Sequence, residues 1–309
     1  MKHIHFYLLA IGFLAVAAGG AGIYLFSEVG AAARQVQLAG DARRGAYILR
    51  LSGCVSCHTN SKDGGRFLAG GAAIESPFGR FYAPNITPHR EEGIGSWSQA
   101  DFFAAMTLGK SPRGHAYYPV FPYSFYTHMS DQDIADLWAA LRQAPAARGA
   151  AKENDLVFPF SARVLLRPWR RLFFSPGVLP EAAGSPEWQR GRYIVEGPGH
   201  CGACHTPRNL LGALKPGKAL AGTRLGGERV PAITAEELQE DGWSEEDIVF
   251  ALKTGVTPEG DVFGGSMGEV VRDNSSHYTE ADLRAVATYL LQPQEGGFLW
   301  WTKQEAEAE

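Results

Sequence analysis

Every cysteine of the chain falls in one of two stretches of the same form, CVSCH (Cys54 to His58) and CGACH (Cys201 to His205). Two thiols one helical turn apart can add to the two vinyl groups of a haem, and the imidazole directly after the second points at its iron. A thioredoxin-type redox pair would explain C-x-x-C, but not a histidine following it twice, and no βαβ pattern surrounds either motif. A structural zinc site wants its cysteine pairs about 15 to 20 residues apart; Cys57 and Cys201 are separated by 144. The chain is therefore expected to carry two covalent haem c groups, one on Cys54 and Cys57 with His58 on iron, the other on Cys201 and Cys204 with His205.

With 45% hydrophobic and 20% charged residues in 309, the composition is that of a globular protein with room for two domains beside an anchor. A net charge of −4 argues against nucleic acid as a partner. Committing all four thiols to haem leaves none for disulfides. Covalent haem attachment takes place on the outer side of the bacterial inner membrane, so an export signal is expected. The 23 positions Ile4 to Phe26 supply it, broken only by His5, with Lys2 before them and Glu28 after. At about 1.5 Å per residue such a helix spans roughly 34 Å, enough for a bilayer core, and it orients the rest of the chain outward. A cleaved signal peptide, with Ala31 and Ala33 as the small-residue pattern, is the alternative; the apolar stretch exceeds the usual about 7 to 15 residues, which favours a retained anchor.

Around the motifs the chain repeats itself. RGAYILRLSGCVSCH (Arg44 to His58) matches RGRYIVEGPGHCGACH (Arg190 to His205), and GSWSQADFFAAMTLG (Gly95 to Gly109) matches DGWSEEDIVFALKTG (Asp241 to Gly255), with Trp97 and Trp243 offset by 146. Four helix starts of one kind recur: Ser98 with Asp101, Ser244 with Asp247, Ser130 with Asp133 and Thr279 with Asp282. Apolar residues follow at helical spacing, Ile134, Leu137 and Leu141 in one copy and Leu283, Val286 and Leu290 in the other, and read as core. The resulting unit is a helix, a haem motif, a Gly/Pro-rich loop, a helix, a ligand loop and a closing helix. It resembles the class I cytochrome c domain, in which the haem supplies much of the core; without it so small a unit would be largely unfolded. The expected fold is all-α: an N-terminal transmembrane helix (1–33), cytochrome c domains at 34–144 and 187–295, a linker at 145–186 and a tail at 296–309. The basic, apolar linker stretch LVFPFSARVLLRPWRRLFF is read as a connector packed along both domains, with lipid head groups or a partner enzyme as the alternative for Arg167, Arg170 and Arg171. The C-terminal FLWW (Phe298 to Trp301) is read as packed on its own domain.

The resemblance implies a second axial ligand, commonly methionine. In the second unit Met267 takes that role, 62 residues past His205 and after a Gly-rich stretch. In the first unit the same 146 offset lands on Phe121, which cannot ligate iron. Met129, at the end of a loop three residues longer than its counterpart, is the first candidate; His128, His115 and an open iron follow. Met106 lies inside a helix, opposite Leu252. Thr206, Pro207 and Arg208 either help position His205 and a propionate or form an ordinary turn.

The segments RGAYILRLSGCVSCHT, FGRFYAPNITPHREEGIGSWSQADF, YYPVFPYSFYTHMSDQD, NDLVFPFSAR, RGRYIVEGPGHCGACHTPRN and GSMGEVVRDNSSHYTEADL together resemble the cytochrome c subunits of membrane-bound alcohol and aldehyde dehydrogenases, over nearly everything between residues 40 and 295. The resemblance implies a periplasm-facing carrier held at the bacterial inner membrane, taking electrons from a dehydrogenase. In that family a methionine usually stands where Phe121 does, and a second one matches Met129. Those alcohol dehydrogenase subunits carry three haem motifs and this chain two, which puts ubiquinone reduction in doubt. Delivery from a periplasmic dehydrogenase to a soluble cytochrome or a terminal oxidase is the expectation. A dihaem enzyme of the peroxidase or thiosulfate dehydrogenase type, with one reactive iron, is the alternative, and Phe121 is its support.

Overall fold

The computed structural model describes residues 17, 19–30, 34, 37–149 and 152–292. Helix α1 (Ala42–Leu51) starts where the Asp41 carboxylate accepts from the amides of Arg43 and Arg44. The first attachment motif follows as the short α2 (Cys54–His58). Next come a hairpin of β1 (Ala73–Ser76) and β2 (Gly79–Tyr82), the middle helix α3 (Gln99–Leu108), a single turn α4 (Tyr123–Tyr126) and the closing helix α5 (Asp131–Gln143). Beyond a short strand β3 (Asp155–Leu156) and a helix α6 (Leu166–Phe173), the order returns: α7 (Pro186–Glu196), α8 (Gly202–His205), hairpin β4 (Thr223–Leu225) and β5 (Glu228–Val230), α9 (Ala235–Glu240), α10 (Glu245–Thr254), α11 (Gly265–Asp273) and α12 (Glu280–Leu291). The expected helix starts hold: Ser98 and Ser244 form reciprocal capping boxes with Asp101 and Asp247, and Ser130 and Thr279 accept from the amides of Asp133 and Asp282.

In each half the first helix crosses the closing helix at backbone contact, which explains the repeated Arg-Gly-x-Tyr. A Cβ on Gly45 would lie 1.8 Å from the Asp136 carbonyl oxygen, and one on Gly191 would lie 1.8 Å from that of Ala285. Ile134, Leu137 and Leu141 of α5 and Leu283, Val286 and Leu290 of α12 all enter one apolar cluster that runs through both halves.

The halves exchange contacts reciprocally. Tyr47 of α1 donates to Asp282 Oδ2 (2.5 Å) and accepts the Thr279 amide at the start of α12; Tyr193 of α7 donates to Asp133 Oδ2 (2.5 Å) and accepts the Ser130 amide at the start of α5. Each carboxylate is also held by an arginine of its own half, Arg190 on Asp282 at 2.7 Å and Arg44 on Asp133.

The expectation of an all-helical chain needs correction. Each half carries a small antiparallel hairpin between its attachment motif and middle helix, and β3 extends the first by pairing with β2, Gly79 opposite Leu156. Strands of two to four residues leave no periodicity in a sequence. The linker packs on both halves, as expected of a connector: the buried Arg170 guanidinium donates to the Leu108 carbonyl (2.5 Å), and Trp169 Nε1 donates to that of Leu211 (2.8 Å).

Among the described residues no helix is long and apolar enough to cross a membrane. Most of the expected span Ile4 to Phe26 lies outside them, as do Ala31, Ala33 and Phe298 to Trp301. The described part, 19–26, is helical and touches the linker, with the Arg171 guanidinium 4.0 Å over the Tyr24 ring; just beyond, Glu28 pairs with Lys110 at 2.7 Å.

Candidate functional site

Each attachment motif is a single helical turn entered through left-handed backbone, Gly53 at φ 66° and His200 at φ 40°. The turn puts Cys54 and Cys57, or Cys201 and Cys204, on one face with the histidine after them. No disulfide joins the four cysteines, and Cys57 and Cys204 lie at the surface. Burial pushes the Cys54 and Cys201 thiols up to about 12, opposite to what a thioredoxin-type pair needs. Among the described residues no three His, Cys, Asp or Glu side chains gather as a bare-ion site requires.

The histidines are held identically. His58 Nδ1 lies 2.6 Å from the Pro84 carbonyl oxygen and His205 Nδ1 2.9 Å from that of Pro231, each proline 26 residues downstream. With Nδ1–H donating to a carbonyl, Nε2 carries the lone pair and faces away, as an iron ligand must. Burial lowers both imidazole pKa values while the carbonyls oppose it, so the neutral, ligating form is favoured. The donor set thus fits two haem c groups: paired thiols for thioether bonds and an oriented imidazole beside each pair.

The loop after each motif is also built twice. Thr59 Oγ1 accepts the Leu68 amide and Thr206 Oγ1 the Leu220 amide, both at 3.0 Å. The Leu68 and Leu220 carbonyls accept the amides of Ile86 and Ile233, both at 2.9 Å, just past the two prolines. Leu68 and Leu220 both have φ 59°, a strained conformation for leucine kept in both copies. Arg208 spans the Gly212 and Ala203 carbonyls at 2.8 Å, bracing the end of α8. Thr206 and Arg208 therefore act on the loop that carries His205.

The two motifs adjoin. A Cβ on Gly53 would lie 3.0 Å from His200 Nε2, so the residues preceding the two first cysteines touch. The His200 ring meets Tyr126 edge-on at 5.6 Å, and Tyr126 donates to the Ser52 carbonyl at 2.5 Å. Helix α11, which carries the half-buried Met267, lies against α2 of the other half, with Lys62 paired to Glu269 (2.7 Å) and Asn274 donating to Ser56 (3.0 Å). Met129 is completely enclosed, at 0% exposure, immediately before the Ser130 cap. Its place at the other closing helix is taken by Tyr278, which reaches across to the Leu51 carbonyl (2.9 Å).

The prolines, the two leucines and His200 were not singled out by sequence reasoning. A signal for the first was present: Pro-x-Ile-Thr recurs at Pro84 to Thr87 and Pro231 to Thr234, at equal distance from each histidine.

The cytochrome c family model matches residues 42–145. A diheme cytochrome c-type protein of Cereibacter sphaeroides is 42% identical over 283 residues, covering 90% of this chain and 94% of the relative. The chain belongs to the dihaem c-type cytochromes. Two further relatives are the cytochrome subunit of fructose dehydrogenase from Gluconobacter japonicus and the cytochrome c subunit of alcohol dehydrogenase (quinone) from Gluconobacter oxydans. Each is 38% identical over 80% of this chain, which spans 51% and 54% of their respective lengths. This dihaem cytochrome carries two haem c groups and works as an electron-transfer protein, without a substrate reaction of its own.

Proposed function

We propose that this cytochrome is the electron-transfer subunit of a periplasmic dehydrogenase, passing electrons to a soluble cytochrome or a terminal oxidase. In this reading residues 34–144 and 187–295 are two cytochrome c domains on a bacterial inner-membrane anchor, with both haems in the periplasm. The observation that carries it is the contact of Gly53 with His200, which joins two equally built attachment segments in one body. A haem c iron, once bound, accepts and returns single electrons between its ferric and ferrous states.

The residues of the two attachment segments are placed for that exchange. Cys54, Cys57, Cys201 and Cys204 would fix the groups covalently; His58 and His205, oriented by Pro84 and Pro231, would each offer a nitrogen to iron, and Met267 a sulfur to the second. The dehydrogenase partner is supported by the relatives named for fructose and alcohol dehydrogenases. Membrane attachment is supported by the apolar run Ile4 to Phe26, whose described end rests on α6 through Tyr24 and leaves Ile23 exposed.

Affinity isolation of the full-length chain from membranes tests this. The expected result is co-isolation of a dehydrogenase large subunit, and reduction of the haem bands when the membranes receive its substrate, with alcohols and fructose as first probes. A chain recovered alone, and unreduced by either, overturns the partner.

A further inference from the structure

The two halves keep a common register well past the middle helices. Tyr117 donates its amide to the Gly109 carbonyl and Phe263 its amide to that of Gly255, both at 2.8 Å, and the bridges Lys110 to Ala116 and Val256 to Val262 close the same loop 146 residues apart. Four residues beyond this lock stand Phe121 in one half and Met267 in the other, and here the backbones part. The second half continues into the nine-residue α11, while the first turns into the short α4. Phe121 is half-buried and packs edge-on against Tyr117 and Tyr126, both at 5.6 Å.

The other candidate side chains of this half have packing or hydrogen-bonding places of their own. Met129 is fully enclosed at the position of Tyr278, which serves the contact between the halves. Met106 is buried within α3. His128 faces the second half, its Nδ1 2.8 Å from the Glu196 carbonyl oxygen, and His115 is exposed in the loop closed by Lys110 and Ala116, its carbonyl accepting the Ser111 amide at 2.9 Å.

We infer that no side chain among the described residues ligates the first haem iron besides His58, and that Phe121 fills the place of the methionine, leaving a coordination position open to a small exogenous π-acceptor ligand. The inference rests on the two-haem reading above. It also means that the first haem keeps electron transfer with one axial protein ligand, while the second is closed by Met267.

Carbon monoxide titrated into the dithionite-reduced, full-length protein tests it, with haem counted per chain as the pyridine complex. The expected result is two haems and one carbon monoxide per chain, with a high-spin contribution to the ferric spectrum. Phe121→Met should abolish both the uptake and the high-spin contribution, and Met129→Leu should leave both unchanged. Uptake of none or of two by the wild-type protein overturns the inference, as does a Met129→Leu protein that binds more carbon monoxide than wild type. The wild-type titration decides even if a variant does not fold. A haem count below two would instead overturn the two-haem reading, so the two failures are distinguishable.

Discussion

The first and second halves of this cytochrome agree closely where haem is attached and differ where its other face is met. Histidine to proline carbonyl, threonine hydroxyl to leucine amide, and a leucine held at φ 59° recur in both copies. Past Tyr117 and Phe263 the halves separate into a short turn with Phe121 and a longer helix with Met267. The attachment side is constrained by covalent bonds and by one imidazole that must be aimed, so its geometry tolerates little change. The opposite face needs only a side chain of suitable volume, and a phenylalanine satisfies packing without satisfying iron.

Several substitutions sharpen or break this contrast, and the largest effect belongs to the attachment cysteines. Replacing both cysteines of either motif, Cys54→Ala with Cys57→Ala or Cys201→Ala with Cys204→Ala, should lower the haem retained after acid extraction from two to one per chain, with loss of folded structure in the affected half; loss of a haem from one motif and not from the other would break the equivalence of the motifs. Next is Met267→Leu, which should raise carbon monoxide uptake from one to two per chain; no change would remove Met267 from the iron.

Smaller effects test the packing that the halves share. Gly45→Ala and Gly191→Ala drive a methyl into a helix carbonyl 1.8 Å away, and each should cost about 1–3 kcal/mol in urea unfolding. Unequal costs would show that one crossing is the more yielding.

A pH effect belongs to the first half. Burial, together with the charges of Arg192 and Arg34 and against the Glu196 carbonyl, lowers the His128 imidazole from 6.5 to about 4. The unfolded chain takes up this proton as pH falls through about 6.5 and the folded chain only near 4, so the contribution is full above 6.5 and lost on the way down. His128→Gln should flatten the fall in stability between those values by at most about 3 kcal/mol. Smallest are Tyr47→Phe and Tyr193→Phe, each removing a hydrogen bond donated to a carboxylate and one accepted from an amide between the halves, for about 1–2 kcal/mol by denaturant titration.

Much of this was legible in the chain. The attachment motifs, the four capped helix starts and the duplication follow from local spacing, because a cap or a thioether pair involves residues within one turn. The glycines at Gly45 and Gly191 were visible as part of a repeat, but their reason lies in helices more than 90 residues away. The same holds for the tyrosine exchange between α1 and α12 and between α7 and α5, for β3 joining β2, and for Tyr289 donating to the buried Glu196 carboxylate. Such long-range pairings leave no periodicity. The repeated Pro-x-Ile-Thr is the exception, a long-range partner betrayed by equal spacing.

The most direct test of the whole account is a reductive titration of the purified, folded protein with the covalent haem of the same sample counted. Two haems per polypeptide taking up two electrons in total are predicted, all retained after acid extraction. One haem, one electron, or pigment that leaves the chain on extraction would contradict it.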